Sequence, residues 1–105
     1  MPSPDVFDAL GDPTRRRILG LLSHGGPSTA TRLADELSLT RQAVAKHLDQ
    51  LRAAGITSVH KVGREVQHQV VPARLDQAAA WLDARAREWE GRTLRIEKEL
   101  ARRRS

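Results

Sequence analysis

The side chains best suited to chemistry lie on one face of a short helical segment. At helical spacing Val44 and Leu48 fall on one side of this segment. The opposite side, called the reading face below, carries Arg41, Gln42, Ala45, Lys46 and Asp49. Glutamine pairs bidentately with adenine, arginine or lysine pairs with guanine, and alanine contacts the thymine methyl group. The reading face therefore favours contact with DNA base edges, and the alternative is a solvated polar face.

Two short helices and a tight corner position the reading face. Apolar residues repeat at helical spacing before the corner and after it: Leu33 and Leu37, then Val44, Leu48 and Leu51. Within the corner we expect Leu39 to fill the apolar space and the Thr40 hydroxyl to cap the second helix. Gly55 is expected to end that helix. Helices joined by so short a corner cross steeply, which predicts a helix-turn-helix.

Two further helices are predicted before this unit. Val6, Phe7 and Leu10 share a helical face, and Asp12-Pro13 is a favoured helix start. The helix after the His24–Pro27 loop can be capped by either of two threonines, Thr29 and Thr31.

Three consecutive arginines, Arg15, Arg16 and Arg17, fall in the first turn of the second predicted helix. Positive charge there opposes the helix dipole, and a nearby phosphate would offset the cost. Arg16 is the expected phosphate contact. The alternative is that these arginines are solvated or paired with aspartates, namely Asp5, Asp8 or Asp12.

A change to two-residue periodicity predicts a β-hairpin after the second helix of the unit. Ile56–Val62 and Glu65–Val71 are rich in β-branched residues and flank a Gly63-Arg64 turn. The hairpin is a wing with Lys61 and Arg64 at its tip. Such a tip can follow a phosphate backbone or enter the minor groove, and the alternative is a solvated turn.

The last segment, residues 73–101, carries a heptad pattern of apolar residues. This heptad seam consists of Leu75, Ala79, Leu82, Ala86, Trp89, Thr93, Ile96 and Leu100. A helix of this length is about 43 Å long, so short helices of the same chain cannot cover it. We expect a second copy to cover the seam, with Val6, Phe7 and Leu10 joining the interface. Outer-face pairs are expected between Asp83 and Arg87, Glu88 and Arg92, and Arg95 and Glu99.

Composition limits the classes of function. The 105 residues predict one domain, with a core at 5–72, the long helix at 73–101 and a frayed basic tail at 102–105. The net charge of +5 and the pI near 11.0 favour polyanionic partners. No cysteine, glycine-rich phosphate loop or nucleophile–base pair is present, so an enzyme is disfavoured. No apolar run suggests a signal peptide or a membrane span, so a cytoplasmic protein is expected.

Three stretches together resemble the ArsR family of bacterial winged-helix repressors. They are Phe7–Leu22, the run from Leu33 to Ile56, and the Val62–Arg64 turn. The resemblance implies a homodimer that binds a palindromic promoter site and represses transcription, often of its own operon. Metal-sensing members carry Cys-x-Cys before the reading helix, where this chain has Arg32–Glu36, and no histidine follows His68. Neither a metal nor a cofactor is therefore expected, and an effector is left open.

The predicted fold is mainly α with a small β-hairpin, a winged helix-turn-helix with a long C-terminal dimerisation helix. Gln42, Ala45 and Lys46 are expected to face base edges, with Thr40, Arg41 and His47 at flanking phosphates. Lys61 and Arg64 would enter the adjacent groove. The expected function is a sequence-specific regulator of double-stranded DNA located at the nucleoid. The alternatives are an architectural DNA-binding protein without sequence preference and a protein-interaction module that uses the long helix.

Overall fold

The computed structural model describes the backbone of residues 4–104 and the side chains of residues 6–104. The elements in chain order are α1 (Pro4–Leu10), α2 (Pro13–Gly25), α3 (Ala30–Leu37), α4 (Arg41–Ala53), β1 (Thr57–Val62), β2 (Glu65–Val70) and α5 (Pro72–Arg104). The strands form one antiparallel two-stranded sheet within this part of the chain. The predicted fold class is confirmed.

The core lies where the apolar faces of α1 to α4 meet the start of β1. The largest fully buried side chains are Val6, Ile18, Leu33, Val44, Leu48, Leu51 and Ile56. Ala78 of α5 and the half-buried side chains of Phe7, Leu10 and Leu75 also contact this core. The core therefore fixes the orientation of α4, the helix that carries the reading face.

Val6 corrects one expectation. The shared face of the first helix places it at the interface with a second copy, but its side chain is fully buried in the core of its own chain. α1 has only seven residues, so its most inward position is needed to join the helix to the domain. Val6 therefore has no surface to offer a partner.

Side-chain caps begin α2, α3 and α4. Each cap accepts the backbone N–H three residues further on: Asp12 at 2.9 Å, Thr29 at 3.2 Å and Thr40 at 3.1 Å. Thr29 rather than Thr31 caps α3. The hydrogen bond from the Arg15 backbone lowers the pKa of Asp12, because it favours the ionised carboxyl group. The expected cap at Thr40 is confirmed, and it fixes the first turn of α4.

Backbone hydrogen bonds, not an apolar plug, close the corner between α3 and α4. Ser38 adopts the left-handed conformation, with φ 55° and ψ 42°. The Leu39 N–H then donates to the Ala34 carbonyl at 3.0 Å, and the Leu39 side chain is exposed. The expectation that Leu39 fills the corner is wrong, because its side chain does not pack against the core.

Gly55 ends α4, as predicted. Its φ is 76°, the Ile56 N–H donates to the Leu51 carbonyl at 3.0 Å, and the Gly55 N–H donates to Arg52 at 2.9 Å. This bond pair is the Schellman motif. A Cβ atom at Gly55 would lie 3.1 Å from Nε of Arg74.

Gly55→Ala is expected to destabilise the fold by at least ~1 kcal/mol, because alanine is disfavoured at positive φ. Urea unfolding measures the change. Gly20→Ala is the matched control, since Gly20 lies inside α2 with open space beside it. The control is expected to stabilise by about 0.5–1 kcal/mol, because glycine is disfavoured in helix interiors. A Gly55→Ala variant as stable as the wild type would contradict this account.

The hairpin forms the predicted wing. Its strands pair from Thr57 with Val70 to Val62 with Glu65, and Gly63 has φ 63° in the two-residue turn. β1 begins at Thr57 rather than Ile56, because Ile56 completes the motif that ends α4. An isolated bridge between Ser28 and His68 joins β2 to the segment before α3.

α5 extends beyond the domain from which it starts. It has 33 residues, and the chain measures 73 × 24 × 22 Å with a radius of gyration of 19.7 Å. A compact chain of this length would have a radius of gyration of about 13 Å. The Phe7 and Trp81 rings lie 5.4 Å apart and join α5 to α1. No helix in the described part of the chain is long and apolar enough to cross a membrane.

The end of α5 and its ion pairs differ partly from expectation. The helix continues to Arg104 instead of ending at residue 101, and Ser105 lies outside the described residues. Positive charge in a last turn interacts favourably with the helix dipole.

The predicted Asp83–Arg87 pair is confirmed at 2.7 Å. The other acids pair with residues not predicted: Glu88 with Arg85, and Glu99 with Arg102 and Arg103.

Candidate nucleic-acid interface

The reading face of α4 is open on one side of the domain. Gln42, Lys46 and Asp49 are exposed together with Arg41, and Ala45 is half-buried. The opposite side of α4 is held in the core by its buried apolar residues: Val44, Leu48 and Leu51. The structure therefore brings the predicted base-facing residues together on one rigid helix.

A groove separates α4 from the wing and divides the reading face into two rows. Its volume is about 600 Å³, and Arg41, Ala45 and Asp49 line its α4 wall. Gln42 and Lys46 are not among its lining residues, so they form the row beyond the groove. Both side chains of this row are exposed.

His47 lies on the flank of α4 rather than on the reading face. At 100° per residue its side chain points well away from the row formed by Gln42 and Lys46. Its Nδ1 lies 3.8 Å from Oδ2 of Asp12, the cap of α2. The predicted contact of His47 with a flanking phosphate would therefore have to be made where α2 meets α4.

Arg15 and Arg16 hold the end of α1. The Arg15 guanidinium donates to the carbonyls of Ala9 at 2.7 Å and Asp8 at 3.1 Å, and Arg16 donates to Leu10 at 2.7 Å. These bonds satisfy carbonyls that a helix end leaves unpaired. Arg16 is still exposed, so its predicted contact with a phosphate would be made by the donors that remain. Helical spacing did not predict this capping role, because its bonds join residues six or seven apart across the turn between α1 and α2.

The wing tip carries both predicted cations and two apolar residues to which the sequence pattern gives no role. Lys61 and Arg64 are exposed, and Arg64 also lines the groove. Val62 and Val66 are about half exposed beside them. Alternation along the strands predicts β structure but does not show that the hairpin tip extends beyond the helices, so this exposure could not be read from the pattern.

A partly buried histidine, His68 of β2, lies in the groove wall. Burial lowers the pKa of His68, Arg52 lowers it further, and Asp49 opposes both effects. Its Nδ1 is buried and has no hydrogen-bond partner among the described residues. Arg52, which the sequence pattern did not single out, contributes a further cation to the groove.

Most of the heptad seam lies uncovered on the free length of α5. The large seam residues Leu82, Trp89, Ile96 and Leu100 are 53%, 67%, 57% and 47% exposed. The small seam residues Ala79 and Ala86 are exposed as well. Leu94 is 57% exposed but lies off the seam. Of the other residues predicted to meet a second copy, Phe7, Leu10 and Leu75 are half-buried against the core, so the uncovered strip consists of the seam residues of α5 from Ala79 to Leu100.

The other histidines are dispersed. His24 bonds to the Gly20 carbonyl at 2.8 Å through Nδ1, and His60 is exposed on β1. Across the described residues, no three histidine, aspartate or glutamate side chains are grouped so that they could hold a metal ion.

Comparisons with known proteins agree with this architecture. Residues 10–60 match the family described as a helix-turn-helix domain. The transcriptional repressor SdpR of Bacillus subtilis is 33% identical over 78 residues, which cover 74% of this chain and 86% of SdpR. The solved structure of an ArsR-like transcriptional regulator from Rhodococcus sp. RHA1 has a TM-score of 0.80 and 39% identity, covering 90% of this chain and 88% of that one.

A more distant structure supports the fold alone. The homodimeric winged helix-turn-helix DNA-binding domain Mb0332 from Mycobacterium bovis has a TM-score of 0.65 at 20% identity, covering 80% of this chain and 77% of that one. The sequence relatives and the arrangement of α3, α4 and the wing lead to the same assignment. This chain belongs to the ArsR family of winged helix-turn-helix transcriptional regulators.

Proposed function

We propose that this regulator is a homodimer that binds double-stranded DNA sequence-specifically and represses its own or a neighbouring operon at an inverted-repeat operator. The observation that carries the proposal is the exposed row of Gln42 and Lys46 on α4, beside the basic wing tip. An amide and a cation in one row match adenine and guanine in the major groove. Lys61 and Arg64 would then contact the backbone or the minor groove next to α4.

The uncovered heptad seam supports the homodimer. A contiguous exposed apolar surface on a folded protein marks an interaction site. A second copy of the chain is the simplest cover, because it would bring an identical apolar strip. Two reading helices related by a two-fold axis would bind half-sites about one helical turn apart.

Repression is favoured over activation because the relative SdpR is named a repressor. The proposal includes no catalytic step. A protein that acts on promoters works where the chromosome lies, so we place it in the cytoplasm at the nucleoid.

The test is titration of the protein's own upstream promoter region and of a scrambled duplex over a range of salt concentrations. We expect selective binding with a log–log salt slope of about −4 to −8, as for a dimer that neutralises roughly five to nine phosphates. Equal binding to both duplexes would instead indicate either an architectural protein or a repressor of a distant promoter. Absence of binding to either would contradict a DNA-binding function and favour a protein partner on α5.

A further inference from the structure

An ion pair connects the first helix of the helix-turn-helix to the wing. Nη2 of Arg32 on α3 lies 3.1 Å from each carboxylate oxygen of Glu65, the first residue of β2. Gln67 also donates to this carboxylate at 3.4 Å. The two partners lie 33 residues apart in sequence, so the contact joins two elements that are distant along the chain.

A second connection lies further along the same strand. The Ser28 N–H donates to the His68 carbonyl at 3.0 Å, and the His68 N–H donates to Ser28 at 2.7 Å. Glu65 and His68 are separated by about 10 Å along an extended strand. The segment that leads into α3 therefore holds β2 at its inner end, and Arg32 holds it near the tip.

The position of the wing tip depends on the position of Glu65. Glu65 pairs with Val62 across the sheet, and Gly63 and Arg64 complete the turn between them. A two-stranded hairpin is marginally stable alone, so its direction depends on its external contacts. With the inner end held at His68, loss of the contact at Glu65 would leave the tip free to swing about that end.

We propose that the Arg32–Glu65 pair is a positioning device that sets the angle of the wing against α4, and so the place where Lys61 and Arg64 meet DNA. This inference rests on the proposed DNA-binding function. The competing view is that Arg32 itself contacts a phosphate, and that Glu65 only reduces the positive charge of Arg32. The two views predict opposite signs for one substitution.

The sign difference comes from the charge of Glu65. A carboxylate close to bound DNA repels the phosphates. By charge alone, its removal would therefore tighten DNA binding. Glu65→Gln would then raise affinity and Arg32→Gln would lower it. If the pair positions the wing, both substitutions lower affinity.

The experiment measures the affinity of the full chain for the preferred duplex with Glu65→Gln, Arg32→Gln and the exchanged pair Arg32→Glu with Glu65→Arg. We expect each single variant to bind about 2–5-fold more weakly, the range an exposed ion pair can contribute. The exchanged pair should recover most of the loss. Glu36→Gln is the matched control, because Glu36 is an exposed acid of α3 in a crevice against α2 and its loss changes the net charge equally. Its affinity should not fall.

A second readout requires no DNA. The chain lacks cysteine, so spin labels can be placed at Val62→Cys on the wing and Gln50→Cys on α4. Labelled chains mixed with an excess of unlabelled chains report the distance within one protomer. We expect this distance distribution to broaden in Glu65→Gln, while the midpoint of thermal unfolding barely changes. If the wild type binds no duplex, the proposed function fails, yet the label distances still decide whether the pair holds the wing. Tighter binding by Glu65→Gln, or an unchanged distance distribution, would overturn the inference.

Discussion

Ile96→Glu is expected to convert the homodimer into a monomer and to weaken binding to an inverted-repeat duplex by at least about 100-fold, because a second half-site is then no longer engaged at high effective concentration. Ile96 lies on the heptad seam with 57% of its surface exposed. A carboxylate at the centre of an apolar interface loses its water without gaining a partner. Sedimentation equilibrium reports the mass, and titration of the duplex reports the affinity.

Leu94→Glu is the matched control for this result. Leu94 lies on the same helix, two residues away, with the same exposed fraction of 57%. It projects about 160° from Ile96 around the helix, so the added charge stays in water. We expect the control to remain dimeric with near wild-type affinity. Loss of the dimer in both variants, or in neither, would contradict an interface along the seam.

Lys46→Ala is expected to weaken binding to the preferred operator by about 1–3 kcal/mol and to relax the preference at one base pair in each half-site. Lys46 lies in the exposed row beyond the groove. Binding to a random duplex should change little, since a base contact is absent there. Affinities for the operator, single-base variants of it and a random duplex measure the effect.

Lys98→Ala removes the same charge from α5, far from the reading face, and serves as the control. Lys98 is exposed. We expect the control to bind the operator and the random duplex nearly as the wild type does. If Lys46→Ala weakens binding to every duplex equally, Lys46 contacts a phosphate and its assignment to a base is wrong.

Local patterns in the sequence predicted the elements that hold the interface. The cap at Thr40 and the stop at Gly55 depend on residues within one turn, and the Gly63 turn depends on backbone conformation. Each is therefore visible in a short window of sequence. The heptad seam of α5 is likewise a property of one element. These features predicted the helix-turn-helix, the wing and the long last helix of the fold.

Contacts between elements could not be predicted in this way. Whether Val6 faces the core or a partner depends on how α1 packs against the other helices. The spacing of apolar residues within α1 does not give that packing. The proximity of His47 to Asp12 and the carbonyl contacts of Arg16 depend on the packing of neighbouring elements. The Arg32–Glu65 pair depends on the angle of the wing. Assignment of individual side chains to bases and phosphates stays a prediction, because it depends on the position of the DNA.

Selection from a library of randomised duplexes with the full chain tests the central claim most directly, because the result does not depend on which promoter the protein regulates. The account predicts enrichment of an inverted repeat whose half-sites lie about one helical turn apart. Enriched half-sites should carry adenine or guanine at the positions nearest Gln42 and Lys46. A bound pool without any enriched motif, or a motif without two-fold symmetry, would contradict a sequence-specific homodimer.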